Sequence, residues 1–167
     1  AADVPHVEDL APLLARYAAL TLPPKTAGAL RAKGTLRGDP KTPALALTLT
    51  GRGLQWGDLA RVATLDVEAN APAGVDAASA PKLAARPVTL RITATGVHAA
   101  QRDFATVNAT VDGTLAQHKA TLAFTGQDLD VAAAFAGGVT DAPRAGAAAV
   151  TAWQGTLDTL TNKGPYA

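Results

Sequence analysis

The side chains that could bind a metal are few and scattered along this chain. The three histidines, His6, His98 and His118, are far apart, and cysteine is absent. A metal site needs several histidine, cysteine or carboxylate ligands converging on one point. The sequence therefore predicts no metal centre, and the lack of cysteine excludes disulfides and thiol-based sites. It also fits, weakly, an oxidising compartment such as the periplasm.

Two pairs of carboxylates have the spacing that places both groups on one face of a strand. They are Asp66 with Glu68 and Asp128 with Asp130. Neighbouring carboxylates can divide acid and base roles between them. Both pairs fall on the predicted polar side of their strands, which favours a solvated wall over a catalytic site.

The other motifs of catalysis or cofactor binding do not match. The glycines of the segment 51–57 lack the spacing of a dinucleotide loop, and no clear helix follows them. The only serine, Ser79, lies in a predicted loop and outside any Gly-x-Ser-x-Gly elbow. The sequence therefore predicts a protein that is not an enzyme and that needs no cofactor.

The composition limits the classes of partner and the size of the core. The net charge of +1 argues against a nucleic-acid partner. No segment approaches the roughly 18 apolar residues of a membrane-spanning helix. Hydrophobic residues make up 48% of the chain but aromatic residues only 4%, so core volume must come from leucine, valine and alanine. Because methionine is absent even at position 1, we expect residues 1–167 to be a single internal segment of a longer protein.

One pattern dominates the chain, the alternation of apolar and polar residues. In Val88–Thr95 every even position is apolar and every odd position is threonine or arginine. Successive side chains of a strand point to opposite faces, so such a segment has one apolar and one polar wall. The pattern recurs from about residue 27 to about 160 and predicts an all-β antiparallel meander. Two stretches, Ala71–Arg86 and Gly137–Val150, are predicted to be loops or flexible segments.

A single short helix is predicted near the amino terminus. Asp9 is a good N-cap, and the apolar residues that follow it are spaced by three and four. Pro23 and Pro24 end the segment. The predicted helix covers about residues 9–20.

The apolar walls of the predicted strands form the candidate site. The usual structure for strands with this alternation is a closed sandwich or barrel, in which the apolar walls bury one another. The predicted lining consists mainly of small and medium-sized side chains with few aromatic rings, however, and such a lining leaves space for an acyl chain in an open groove. The predicted lining residues are Leu30, Leu45, Leu47, Leu49, Leu65, Val67, Leu90, Ile92, Val107, Val111, Leu122, Phe124, Leu129, Val131, Phe135, Trp153 and Leu157.

Three motifs, in their order along the chain, resemble those of the TamB family. They are Leu30–Gly38 followed by Pro43 and a Leu-x-Leu-x-Leu run, Val111–Leu115 leading to His118, and Trp153–Leu157 with Leu160. TamB-type proteins are the periplasmic part of the translocation and assembly module and are related to AsmA-like, bridge-like lipid transfer proteins.

The resemblance implies a fold, a location and a task. It implies a curled, open apolar trough, called a β-taco, in a periplasmic protein that is anchored in the inner membrane. It also implies that the trough shields phospholipid acyl chains between the two membranes, that this contributes to outer-membrane biogenesis, and that a BamA-like outer-membrane barrel is the partner of other parts of the protein. The alternative is a scaffold or chaperone that assists outer-membrane protein assembly by adding a client strand to a sheet edge.

Overall fold

The chain forms one antiparallel β-sheet in a computed structural model that describes residues 1–10, 23–38, 43–72, 87–114, 116–144 and 147–164. In chain order the elements are β1 (Ala2–Val4), a 3-10 helix (Val7–Leu10), β2 (Ala27–Arg37), β3 (Ala44–Trp56), β4 (Ala60–Ala71), β5 (Pro87–Ala99), β6 (Arg102–Thr114), β7 (His118–Gly126), β8 (Asp130–Arg144) and β9 (Ala147–Lys163).

The order of the strands in the sheet is their order in the chain. Each strand pairs with the one before it and the one after it, and β1 and β9 form the two edges. The predicted all-β antiparallel meander is confirmed. The sheet is open and uncurled, so the curl implied by the family resemblance is not a property of this sheet. Alternation decides which face a side chain occupies, whereas bulges and glycine kinks decide bending. The predicted period of two therefore carries no information on curl.

Tight turns fix the register between neighbouring strands. Between β5 and β6 the two turn residues, Ala100 and Gln101, have φ angles of 51° and 62°. Between β6 and β7 the amide of Thr114 donates to the carbonyl of Gln117 at 2.7 Å. Between β3 and β4 the amide of Leu59 donates to the carbonyl of Trp56 at 3.1 Å. These local bonds hold the hairpins without help from a second layer of structure.

The described residues form no sealed core. Among the residues whose side chains the structure describes, only two hydrophobic ones are buried, Val7 at 8% and Ala94 at 6% exposure. Leu90, Leu122 and Val131, which a closed sandwich would bury, are all partly exposed. The expectation of mutually buried walls is therefore wrong for this part of the chain, because a single sheet has no facing layer.

Two boundaries differ from the sequence-based predictions. The stretch 137–150, predicted to be flexible, belongs largely to β8 and β9, whose backbones pair as far as Arg144 and Ala147. An alanine-rich segment lacks a clear alternation, yet its amides and carbonyls still complete a ladder. The alternation of Leu45, Leu47 and Leu49 with polar or small residues stops at Gly51, which predicts a strand end there, yet β3 continues to Trp56. The predicted helix 9–20 and the loop 71–86 lie mostly outside the described residues.

Candidate functional site: a continuous apolar sheet face

The strand register assembles the apolar residues into rows on one side of the sheet, because directly paired residues of antiparallel strands share a face. We call this side the apolar face. The first row consists of Leu30, Gly51, Leu65, Ala94, Val107, Phe124 and Val131. The second row consists of Ala32, Leu49, Val67, Ile92, Ala109, Leu122, Ala133 and Leu160. The third row consists of Gly34, Leu47, Ala69, Leu90, Val111, Ala120, Phe135 and Leu157.

The rows contain most of the predicted lining residues. Leu45 lies beside the third row, where it pairs with Leu36 and Ala71. Trp153 lies over the same face near the beginning of β9, as described below. Leu129 is the exception: it lies in the turn before β8, where its carbonyl accepts a hydrogen bond from the amide of Gly126 at 2.9 Å. Its position in the turn removes it from the strand alternation.

The residues of the apolar face that the sequence analysis missed include a fourth row, Leu54, Val62, Val97 and Phe104, which pair with one another in that order across β3 to β6. A Cβ added to Gly51 would lie 2.7 Å from Leu54 Cδ1, so Leu54 covers the apolar side of Gly51. The Phe104 ring lies 5.5 Å from that of Phe124.

A change of alternation explains why these residues were missed. Gly53 and Gly96 both have a φ of 56°, and the register shifts between Phe104 and Thr106. On β4 the neighbours Ala63 and Thr64 are both exposed, which marks the same change. A kink of one residue moves the following side chains to the other face. A glycine within a strand pattern is the sequence signal that could have revealed it.

The opposite face carries threonines and charged side chains. The hydroxyls of Thr64 and Thr95 lie 2.6 Å apart, as do those of Thr110 and Thr121. We call this side the polar face. The polar face is the solvent-exposed polar side of the sheet, whereas none of the three rows of the apolar face contains a charged residue.

The carboxylate pairs do not form a converging site. Asp66 and Glu68 are exposed on the polar face, where Asp66 lies between Thr50 and Thr93 and Glu68 between Thr48 and Arg91. Asp128 lies in the turn before β8 and Asp130 begins that strand. The second pair therefore does not share one strand face.

The three histidines have separate environments. The Nδ1 atom of His6 lies 3.3 Å from a carboxylate oxygen of Glu8, and that of His98 lies 2.7 Å from Asp103 across the β5–β6 turn. Within the described residues no three histidine or carboxylate side chains gather as metal ligands would.

The third histidine, His118, pairs with Trp153. The indole Nε1–H donates to His118 Nε2 at 2.9 Å, and His118 Nδ1 lies 3.1 Å from the carbonyl oxygen of Thr114. Cβ atoms added to Gly137 or Gly155 would collide with the indole ring. The ring therefore lies close over these two glycines, which are paired with each other and adjoin His118 on the apolar face.

The side chains of the apolar face are most exposed near the two edges of the sheet, on β2 and β3 at one edge and on β9 at the other. On β2 and β3, Leu36 is 69% and Leu45 41% exposed. On β9, Leu157 is 51% and Leu160 61% exposed. A contiguous exposed apolar surface of this kind marks a binding surface in soluble proteins.

The comparison with protein families agrees with this architecture. Residues 16–166 match the family model described as TamB, N-terminal domain. The chain belongs to the TamB family. No curated protein and no solved structure matches it. Membership of the TamB family is consistent with a periplasmic protein, and none of the helices in the described part of the chain is long and apolar enough to span a bilayer.

Proposed function

We propose that this chain shields phospholipid acyl chains on its apolar face during transport between the inner and outer membranes, and so contributes to outer-membrane biogenesis. The observation that carries the proposal is the continuous apolar face, which lies on a single layer and is only partly buried. Membership of the TamB family fits this task and the assembly of outer-membrane proteins equally.

The energetics fit a carrier without a specific ligand contact. Burial of a methylene group gains about 0.8 kcal/mol, so a chain of roughly 16 carbons gains on the order of 12 kcal/mol on a dry surface. The three rows consist of apolar side chains and two glycines, and none of their residues is charged. The gain is therefore similar along the face, and a lipid can move without crossing large barriers.

A photo-crosslinking residue tests the proposal by the face from which lipid is captured. Probes at Leu90, Ile92, Leu122 or Val131 should label phospholipid in cells, because these positions lie on the apolar face. Probes at Thr93 or Thr121 should not, since these residues lie on the polar face. Equal labelling from both faces, or labelling from neither, would contradict the proposal.

A matched pair of charge substitutions tests transport itself. Leu122→Asp places a carboxylate in the middle row of the apolar face, whereas Thr121→Asp places one on the polar face of the same strand. An unpaired charge in an apolar path costs at least several kcal/mol, on the order of half the gain of one acyl chain. We expect the first variant to lose lipid transport and the second to retain it.

A second candidate function is the addition of a client strand during outer-membrane protein assembly. The outer edge of β9 favours it, because β9 is 17 residues long and forms one edge of the described sheet. A client strand would pair with its free amides and carbonyls. Amide hydrogen exchange in β9 should then slow when an unfolded outer-membrane protein is added. Unchanged exchange would remove this candidate.

The inner-membrane anchor and the BamA-like barrel partner are part of the proposal. Both come from the resemblance to TamB-type proteins. Membrane fractionation tests the anchor. Co-purification with the barrel tests the partner, and a protein that fractionates as soluble and captures no barrel would remove both.

A further inference from the structure

One edge of the described sheet is formed by the part of β2 that β1 does not cover. The three residues of β1 pair only with residues 30–32. From Lys33 to Arg37, β2 pairs with β3 on its inner side and with no described strand on its outer side. We call Lys33–Arg37 the free edge of β2. All five residues are exposed, and Leu36 is exposed to 69%. The outward-facing amides and carbonyls of this edge can therefore pair with a further strand.

The free edge keeps a regular strand geometry. Its register with β3 runs without a shift over residues 29–37, whereas many natural edges are closed to further pairing by a bulge. Lys33, Thr35 and Arg37 lie on the polar face, and Leu36 lies on the apolar face. A strand that pairs with this edge must therefore have one polar and one apolar side of its own.

The charges of the polar face indicate what a neighbouring strand supplies. Directly paired residues carry opposite charges at four places, namely Asp3 with Arg31, Glu68 with Arg91, Asp112 with Lys119 and Asp130 with Lys163. Opposite charges on directly paired residues stabilise a sheet, and like charges destabilise it. Lys33 and Arg37 lie opposite neutral residues of β3, Thr48 and Ala44. The outer side of the free edge is therefore where carboxylates would complement these two cations.

The short strand β1 shows how the edge of β2 accepts a strand. Asp3 lies opposite Arg31, and its Oδ2 atom is 2.6 Å from a guanidinium nitrogen. Val4 lies opposite Leu30 on the apolar face. β1 therefore places a carboxylate against a cation on one face and an apolar side chain against a leucine on the other.

We propose that the free edge of β2 binds an extended strand of a partner protein that has two carboxylates four positions apart. In the antiparallel register these carboxylates lie opposite Lys33 and Arg37, and an apolar side chain lies opposite Leu36. Main-chain hydrogen bonds supply the affinity of such a contact, and the alternate side chains supply its specificity. The inference goes beyond the proposed lipid function, because this edge is not part of the three rows across which lipid moves.

The same two cations disfavour a second copy of this chain as the occupant. Antiparallel pairing of two free edges about Thr35 would bring Lys33 of each copy opposite Arg37 of the other. Like charges directly opposite each other destabilise the pairing. The charges of this edge therefore select an acidic strand against an identical one.

Two labelled peptides test the charge preference by fluorescence anisotropy with the full chain. One contains Asp-Val-Thr-Val-Asp and the other Lys-Val-Thr-Val-Lys. We expect the aspartate peptide to bind about tenfold more tightly, because two attractive pairs replace two repulsive ones. Lys33→Glu combined with Arg37→Glu should reverse the preference. Arg52→Glu, which changes a cation of the neighbouring strand β3, is the control and should retain it. Equal binding of both peptides, or binding of neither, would overturn the proposal.

A disulfide locates the bound strand, because the chain contains no cysteine of its own. The central threonine of the aspartate peptide is replaced by cysteine, and the chain carries Thr35→Cys. Thr89→Cys is the matched control, since Thr89 is exposed in the same row of the polar face but lies on β5, which is paired on both sides. We expect the peptide to cross-link to position 35 and not to position 89. Equal cross-linking at both positions would overturn the assignment to the edge.

Further outcomes separate this inference from the lipid function. If the aspartate peptide does not bind while a probe at Leu122 still labels lipid, the partner strand is overturned and the lipid function stands. If the peptide binds and the probe labels no lipid, the lipid function is overturned and the partner strand stands. A disulfide dimer that forms through Thr35→Cys without peptide would assign the edge to a second copy and overturn the proposal.

Discussion

The ring centroids of Phe104 and Phe124 lie 5.5 Å apart with an angle of 52° between the ring planes. A strict period of two would place Phe104 on the face opposite to Val107, the residue that pairs with Phe124. The register shift between Phe104 and Thr106 cancels one step of the alternation and returns the ring to the apolar face.

A double-mutant cycle tests this contact. Phe104→Ala and Phe124→Ala should show a coupling of about 0.5–1.5 kcal/mol in urea unfolding, because a tilted aromatic pair adds to simple burial. The cycle of Phe104→Ala with Phe135→Ala is the control, since distant sites usually add independently. Equal coupling in both cycles, or none in the first, would show that Phe104 does not lie beside Phe124.

The two glycines of the kink offer a matched pair of substitutions. Both have a φ of 56°, which costs an alanine about 1–2 kcal/mol. A Cβ at position 53 meets nothing within 4 Å, whereas one at position 96 would lie 2.8 Å from the Ala63 Cβ. We expect Gly96→Ala to reduce the free energy of unfolding more than Gly53→Ala. An equal decrease in the free energy of unfolding for both variants would mean that the backbone φ angle alone determines the loss of stability.

How much the sequence could predict is clear from β5 and β3. The alternation in Val88–Thr95 predicted which residues of β5 share a face, because apolar and polar side chains there follow the pleat without interruption. It failed at Leu54, because Gly53 has a positive φ that interrupts the alternation, and the glycine itself was the only signal of that kink. The pairing of Trp153 with His118 was also missed. It joins residues 35 positions apart on β7 and β9, which only the order of strands brings together.

On β9 a polar residue, Asn162, pairs with Val131 and so extends the first row of the apolar face by one position. Its Oδ1 atom is buried and has no hydrogen-bond partner within the described residues. An unpaired buried acceptor costs about 1–3 kcal/mol, so Asn162→Leu should raise the free energy of unfolding by about 1 kcal/mol. Urea unfolding measures it, with Thr161→Leu on the other face as control. An unchanged or lowered stability would show that the carboxamide is satisfied in solution.

Substitution of the exposed carboxylates on the polar face tests the prediction that they form no catalytic site. Asp66→Ala combined with Glu68→Ala should leave lipid transport nearly unchanged, because exposed charges contribute little. Circular dichroism confirms that the fold is retained. Loss of transport in a folded double variant would reveal a polar site on that face, and Asp128→Ala with Asp130→Ala gives the corresponding test at the β7–β8 turn.

Because the strands lie in the sheet in the same order as in the chain, such a sheet can change its number of strands, and so its width, in a simple way. Each described strand forms its backbone hydrogen bonds only with the strands next to it in the chain, as repeats do in a solenoid, so stability is largely a sum of local terms. Duplication of one hairpin would add two strands without reversing the direction of any later strand. It would also widen the apolar face by two further columns. The width of the surface can therefore be adjusted in evolution by copying hairpins, while the contacts of the existing strands stay as they are.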